Sequence, residues 1–592
     1  MKKILALVVA MLLVMSMVSA FAVGSIQLND TNAGAASHEY KVYQIFTGTL
    51  TADGKLENVK YGKNFGNTGS SVPKTELDAI GSSEADAIAY AKSIESQVTG
   101  TPYATINANE KLNNVPDGYY LIVDDTSKEL TDGDAYSRYM IQVVKDVEIA
   151  VKKSGTTSDK EIDEDTLGNE ANNVDGKIDN VTIGDTVTFK LTATVASDAD
   201  TYDKYFFVMN DTLDAGFTFS EETANIVVKA GETTLTKDTD YKVYTGDDAD
   251  GKTFQIAMLN AKALAGQTIT VTYQAVLNEN CNIHEIPNKN TFYVTYSNNP
   301  KHEYDHDEDK NKPGKPDSTK NVPTGETPEQ ETETYTTGLK IKKVDQDGMS
   351  LAGATFTIEG TSLEKVVYYT EAFEEDAAGT YYKLKNGSYT TEAPVARAME
   401  PKDPEKGVGY VLWQEGDEEE KVTVNGVDYR VVRAEENGVY TLQEGNVDLY
   451  DSTETKYTKT ETKQVKDKPA NNVSETLTVG ADGILKFDGL GAGEYTITEI
   501  AAPAGYTKIA NPIKVTIEFV AEPAEGEKHW KDAANAPKDE AGYYTVTVEN
   551  VAGNVLPTTG GMGTTILYIG GSILVLAAVI LLVTKRRMRV ED

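Results

Sequence analysis

"EYTITEIAAPAGY" (494–506) reads as one β-strand followed by a turn. Thr, Tyr and Ile suit a pleated, half-buried surface, and Pro503 and Gly505 end the run. Side chains alternate across a strand, so Tyr495, Ile497 and Glu499 share a face. An acid therefore sits in line with two core-forming residues. Working outward, "GLKIKKVDQDGMSLAGATFTI" (338–358) puts Leu339, Ile341 and Lys343 on one face, and "YYTVTVENVAGN" (543–554) does the same for Val546, Val548 and Asn550. Three strands each aim one polar group the way their apolar neighbours point. Spacing alone leaves open whether these groups lie in a core or at solvated strand ends.

The same period-two pattern recurs upstream, as in "VTFKLTATV" (187–195), with Gly- and Asp-rich turns between runs. "TTSDKEIDED" (156–165) aligns Ser158, Lys160 and Ile162. "FFVMNDTLDAG" (206–216) puts Asp211 with Phe207 and Met209, and "NTFYVTYSNNP" (290–300) puts Asn298 with Phe292, Val294 and Tyr296. One Ala- and Glu-rich stretch, 75–98, reads as helix interrupted by Gly81. The polar, Pro-bearing stretch 301–335 lacks the aliphatics to pack a core and reads as a linker. The pattern predicts an all-β chain of tandem β-sandwiches with a few short helices. Domains are expected at 23–150, 151–300 and 336–555, the last with a charged, Tyr-rich insertion at about 360–475.

The chain has 592 residues and a formal net charge of −37. That charge argues against nucleic acid or an anionic membrane surface as partner, since both need basic patches. One cysteine, Cys281, rules out intramolecular disulfides. The five histidines form no HExxH pattern, and no nucleophile-elbow, phosphate-loop or dinucleotide motif appears. "EYDHDEDK" (303–310) lacks the spacing of a calcium loop. The sequence predicts no turnover enzyme, no metal and no cofactor.

Both ends read as processing signals. "MKK", an apolar run and "AFA" (20–22) form a secretory signal cleaved after Ala22. At the other end Leu556-Pro557-Thr558-Thr559-Gly560 precedes an apolar run, Ile566 to Val583, about eighteen residues long and sufficient for a transmembrane helix. Lys585, Arg586, Arg587 and Arg589 then favour a cytoplasmic tail. This three-part ending resembles the cell-wall sorting signal of Gram-positive surface proteins. The resemblance implies a transient membrane anchor and a sortase that cuts between Thr559 and Gly560.

"KVDQDG…LAGATF" and "YTITEIAAPAGY" are similar to the opening strand and E-box of the collagen-adhesin B-type (prealbumin-like) domain of pilins. "IGDTVTFKLTATV" and "YSNNP" resemble the second, Ig-like domain of Gram-positive backbone pilins. "EYKVYQIFTG" (39–48) and "VPDGYYLIVDD" (115–125) resemble their N-terminal domain. The resemblance implies intramolecular Lys–Asn amides: Lys343 to Asn550 assisted by Glu499, and Lys160 to Asn298 assisted by Asp211, with Asn299 competing for Asn298. It also implies an inter-subunit acceptor amine in "VEIAVKKSG" (147–155). That amine is Lys152, with Lys153 as the alternative, and Ala150-Val151 stand where the family has Tyr-Pro. The expected function is a pilus backbone subunit joined to its neighbours by a sortase and finally to peptidoglycan. The alternative is an accessory pilin or wall-anchored adhesin binding a host or microbial ligand. The chemistry is reasonable: burial disfavours charge, so a desolvated lysine is a nucleophile and a buried carboxyl can carry the proton.

Overall fold

A computed structural model describes residues 23–553, apart from 31–37, 82, 138–139, 144–145, 152, 165–175, 305–308, 310, 361, 402–409, 415–416, 418–420, 425, 432–439 and 444. The signal segment with Ala22, Lys152, and the sorting motif Leu556–Gly560 with the apolar run behind it lie outside the described residues. Among the described residues no helix is long and apolar enough to cross a membrane. The fold is dominated by antiparallel strands, as the alternation predicts, with two short α-helices among the described residues. α1 (Lys74–Asp78) and α2 (Glu84–Glu95) divide the predicted helix at Gly81, whose φ of +70° no L-residue adopts cheaply. Ser83 and Asp86 then restart the helix with a reciprocal capping box.

The chain forms two compact units: Met1–Asn282 with Ile286–Tyr335 and Ala521–Glu527, and Ile283–Glu285 with Thr336–Val520 and Lys528–Asp592. The first unit opens with a three-stranded sheet in which Val23–Asn29 lies between Lys111–Pro116 and, in parallel, Asp146–Ala150. A five-stranded sheet centred on Glu39–Leu50 and Gly118–Asp124 accompanies it, and Ile26, Leu28, Tyr40, Val42, Tyr120 and Ile122 form one buried cluster.

The rest of this unit is a sandwich. One sheet is centred on Thr186–Thr194, flanked by Thr157–Glu164 and Thr268–Leu277. The other runs Ile178–Asn180, Gln330–Tyr335, Asn288–Ser297, Phe207–Leu213, Phe254–Met258, Tyr241–Thr245. Rings from both sheets interlock in the core: Phe254 and Tyr273 meet edge to face with centroids 4.8 Å apart.

The expected linker is corrected here. Thr324–Glu326 and Gln330–Tyr335 are strands paired with Asn288–Ser297. Composition misleads because the inward residues are Thr332 and Thr334, polar yet buried, while the charged residues alternate outward. Earlier in the same stretch Tyr304 is buried against Phe206.

In the second unit one sheet runs Tyr457–Asp467, Lys365–Glu375, Ile484–Leu490, Thr337–Asp345, Tyr544–Ala552, Tyr506–Thr507. A second sheet is centred on Thr355–Gly360 and Gly493–Ala501. Leu339, Ile341, Val546 and Val548 are buried, as are Phe356, Ile358, Tyr495 and Ile497. The inserted region supplies the long ribbon Lys365–Glu375 with Tyr457–Asp467, and a small sheet of five strands between 398 and 443.

Candidate functional sites

Thr337–Asp345 and Tyr544–Ala552 run parallel and adjacent, with Lys343 opposite Val548 and Asp345 opposite Asn550. That register carries Lys343 and Asn550 to the same end of the core. Glu499 reaches it from Gly493–Ala501 in the other sheet. All three are buried. Asn550 Nδ2 donates to Glu499 Oε2 at 3.1 Å, and the backbone N–H of Ile509 donates to the same oxygen at 2.7 Å. Lys343 Nζ donates to the carbonyls of Val344 and Val548, both at 3.0 Å. Burial pulls the Lys343 amine down to about 8 against the opposing pull of the Glu499 charge. Oδ1 of Asn550 and Oε1 of Glu499 are buried without a hydrogen-bond partner.

In the first unit, Lys160 and Asp211 meet as the sequence predicts. Lys160 Nζ lies 2.5 Å from Asp211 Oδ2, both fully buried, with the rings of Phe189, Tyr273 and Phe292 around the amine. Burial pulls the lysine down to about 8 despite Asp211 and pushes the Asp211 carboxyl up despite Lys160. A proton is thereby easier to move from amine to acid than in water.

Asn298 does not join them. Asp211 pairs with Phe292, and Asn298 is six residues further along that strand, about 20 Å away at the usual rise. It sits beside Gly325, and its carbonyl accepts from the backbone of Tyr136. Asn299 instead accepts from the backbone of Lys301 at 3.1 Å. The carboxamide present at the site is Asn290, on the same inward face of that strand. Its Nδ2 donates to Tyr273 Oη at 2.6 Å, and that hydroxyl donates to Asp211 Oδ1 at 2.8 Å. Lys160 Nζ is 3.4 Å from the same hydroxyl. Asn290 is fully buried and its Oδ1 has no hydrogen-bond partner. Sequence reading missed Asn290 and Tyr273. Asn290 shares the inward face with Phe292, Val294 and Tyr296, so periodicity nominates it equally with Asn298.

Of the two acceptor candidates, Lys153 is described, and its side chain is fully buried among carboxylates. It is not an amine open to an enzyme.

Residues 183–300 match a Gram-positive pilin backbone subunit 2 Cna-B-like domain, 464–528 a prealbumin-like fold domain, and 548–588 an LPXTG cell-wall anchor motif. Solved structures of similar architecture include the T6 backbone pilin of serotype M6 Streptococcus pyogenes (14% identity, covering 91% of this chain and 100% of that one, TM-score 0.48). The full-length major pilin SpaD from Corynebacterium diphtheriae is similar at 17% identity (90% and 97% covered, TM-score 0.43). BcpA, the major pilin subunit of Bacillus cereus, is similar at 12% identity (90% and 100% covered, TM-score 0.38). No curated protein matches. The anchor motif makes this chain a cell-wall-anchored surface protein. Together with a Cna-B-like domain of the pilin-backbone kind and a prealbumin-like domain, it supports a sortase-polymerised pilus subunit.

Proposed function

We propose that this subunit is welded internally by two amides, Lys160–Asn290 and Lys343–Asn550, and joined externally through Thr559 and Lys152. The observation that carries the first part is the recurrence of one constellation: a buried lysine, a buried carboxyl and a buried asparagine with an unsatisfied carbonyl oxygen. In each, the neutral Nζ attacks Cγ of the asparagine and the C–Nδ2 bond breaks. The carboxyl (Asp211 or Glu499) takes a proton from the attacking nitrogen and passes it to the leaving one, so ammonia departs and nothing else is consumed. Folding supplies the near-attack geometry. Each site reacts once, which makes this maturation and not enzymatic turnover, and it needs no cofactor or metal.

The external bond follows the same logic. Sortase breaks Thr559–Gly560 and holds the Thr559 carbonyl as a thioester. The Lys152 amine of another copy displaces the thiol and forms an amide. The burial of Lys153 supports Lys152 as the acceptor. Repetition gives a fibre of copies of this chain, ending on peptidoglycan. A host or microbial ligand would meet the small sheet between 398 and 443, which stands apart from the strands holding Lys343 and Asn550.

Intact mass of the mature chain tests the internal bonds: the loss of two ammonias, with Lys160 and Lys343 found in branched peptides, is expected. An unmodified Lys160 and Lys343 in folded protein would reject them. For the external bond, Lys152→Ala is expected to abolish the high-mass ladder of denatured wall extracts, and a ladder that persists would reject Lys152.

A further inference from the structure

Beside the Lys160 site lies one more buried polar side chain. Asn290 has two direct cross-strand neighbours in its sheet, Leu213 on one side and Thr332 on the other. Residues directly opposite in an antiparallel pair hold their Cβ atoms about 4.5–5.5 Å apart. Leu213 has nothing to donate. Thr332 carries a hydroxyl, is 1% exposed and faces inward with Thr334. Its Oγ1 is buried without a hydrogen-bond partner, and so is Oδ1 of Asn290. The strand that carries Thr332 also packs against that of Lys160. Just ahead of it, Ser158 Oγ donates to Thr327 Oγ1 at 2.7 Å.

The carboxamide of Asn290 is oriented by its nitrogen. Nδ2 is committed to the Tyr273 hydroxyl, which also meets Asp211 and Lys160. Oδ1 is left for another donor, and the threonine is the cross-strand neighbour able to supply one. The two groups are neighbours yet unbonded in the resting fold. Only an interaction stronger in the transition state than in the ground state speeds a reaction. An effective oxyanion donor is accordingly held for the oxygen of the tetrahedral species and not for the ground-state carbonyl.

We propose that Thr332 is the oxyanion donor for formation of the Lys160–Asn290 amide, an inference that rests on the reading of that amide given above. As Nζ bonds to Cγ, the π electrons of the Cγ–Oδ1 double bond move onto Oδ1, and the Thr332 hydroxyl donates to the oxyanion. Asp211 carries the proton from Nζ to Nδ2. The carbonyl re-forms as the Cγ–Nδ2 bond breaks, and ammonia leaves. Thr332 keeps its own proton throughout, and no co-reactant enters. The donor also sets the timing. Thr332 lies on Gln330–Tyr335, the last strand of this sandwich, and reaches Asn290 only when that strand has paired with Asn288–Ser297. The amide then closes on a finished sheet.

The test follows both amides in one full mature chain. Chain recovered from inclusion bodies in denaturant, with Lys160 and Lys343 unreacted, is returned to folding conditions. Peptide-level mass then reads each branched peptide against time. Thr332→Val keeps the side-chain shape and removes the donor, and Thr332→Ser keeps the donor. The Lys160 amide should form about a hundredfold more slowly in Thr332→Val and near the wild-type rate in Thr332→Ser. The Lys343 amide, in the other unit, should keep its rate in both. An unchanged Lys160 rate in Thr332→Val overturns the proposal, and equal slowing in the serine and valine variants overturns it in favour of a packing role. Should Thr332→Val fail to fold, Thr332→Cys supplies a weaker donor of similar size. Its rate should fall below that of wild type, and a rate equal to wild type overturns the proposal. A wild-type chain that folds and never joins Lys160 to Asn290 overturns the amide itself, a result distinct from any of these.

Discussion

The Lys160 and Lys343 sites hold the same three kinds of side chain in opposite arrangements. Around Lys160 the carboxyl holds the lysine, and the asparagine is attached through the Tyr273 hydroxyl. Around Lys343 the carboxyl holds the asparagine, and the lysine rests on two backbone carbonyls. In the first, aromatic rings remove water from the amine; in the second, a parallel strand pair sets the register. What the two share is burial of all three groups. Under the proposed reaction, the carboxyl need not begin against the nucleophile, and either partner can be the one it holds beforehand.

The largest expected effect breaks the Lys160 arrangement. Asp211→Ala removes the proton carrier and leaves a buried amine unpaired, which costs about 3–5 kcal/mol. It also forfeits the proposed cross-link, whose loop of over a hundred residues would contribute about 5 kcal/mol by the chain-entropy model for disulfides. Thermal unfolding of the variant should show a large loss for this region, and intact mass should show one retained ammonia. Glu499→Ala should retain its ammonia too but cost less, since the carbonyls of Val344 and Val548 still hold Lys343. Equal losses in the two variants would remove the distinction. Next in size is the choice of asparagine: Asn290→Ala should block the Lys160 amide and Asn298→Ala should leave it intact, read by mass.

That last pair marks where the sequence stopped being informative. Alternation in "YTITEI" and "TVTVEN" placed Glu499 and Asn550 correctly because each run offers one polar residue on its inward face. "NTFYVTYSNNP" offers two asparagines on one face. Only the pairing of Asp211 with Phe292, 81 residues further along the chain, decides between them. Tyr273 gave no signal, since a tyrosine in "TITVTYQAVL" is unremarkable core until its hydroxyl is seen between Asp211 and Asn290. Lys153 was invisible as a buried group for the same reason. Its partners Asp30, His38, Asp124 and Asp134 come from separate strands and turns. The mistaken linker has a simpler cause: composition is a poor guide where threonines fill the inward positions of a strand.

Tyr273→Phe tests the bridging arrangement with a smaller change. Removing the hydroxyl leaves Asn290 without its tether and Asp211 with one fewer donor, so the Lys160 amide should form more slowly and remain formed at the end-point. The Lys343 amide, which uses no such bridge, should keep its rate. A fully blocked Lys160 amide would instead make the hydroxyl a required proton carrier.

The smallest effect is in pH. In Asn550→Ala the Lys343 amine stays free. Its folded pKa is about 8 against an unfolded value near 10.5, so between those values the unfolded chain binds more protons and stability rises with pH. Asn290→Ala should behave alike through Lys160, but Asp211 there is raised by burial, so its own contribution weakens the fold as it ionises at acidic pH. Chemical denaturation from pH 4 to pH 10 should therefore show a rise above pH 8 in both variants, and a fall on leaving the acidic end only in the second. A flat profile for Asn550→Ala would mean that the Lys343 amine is charged in the fold, and with that its readiness to attack Asn550 would have to come from Glu499 taking the proton first.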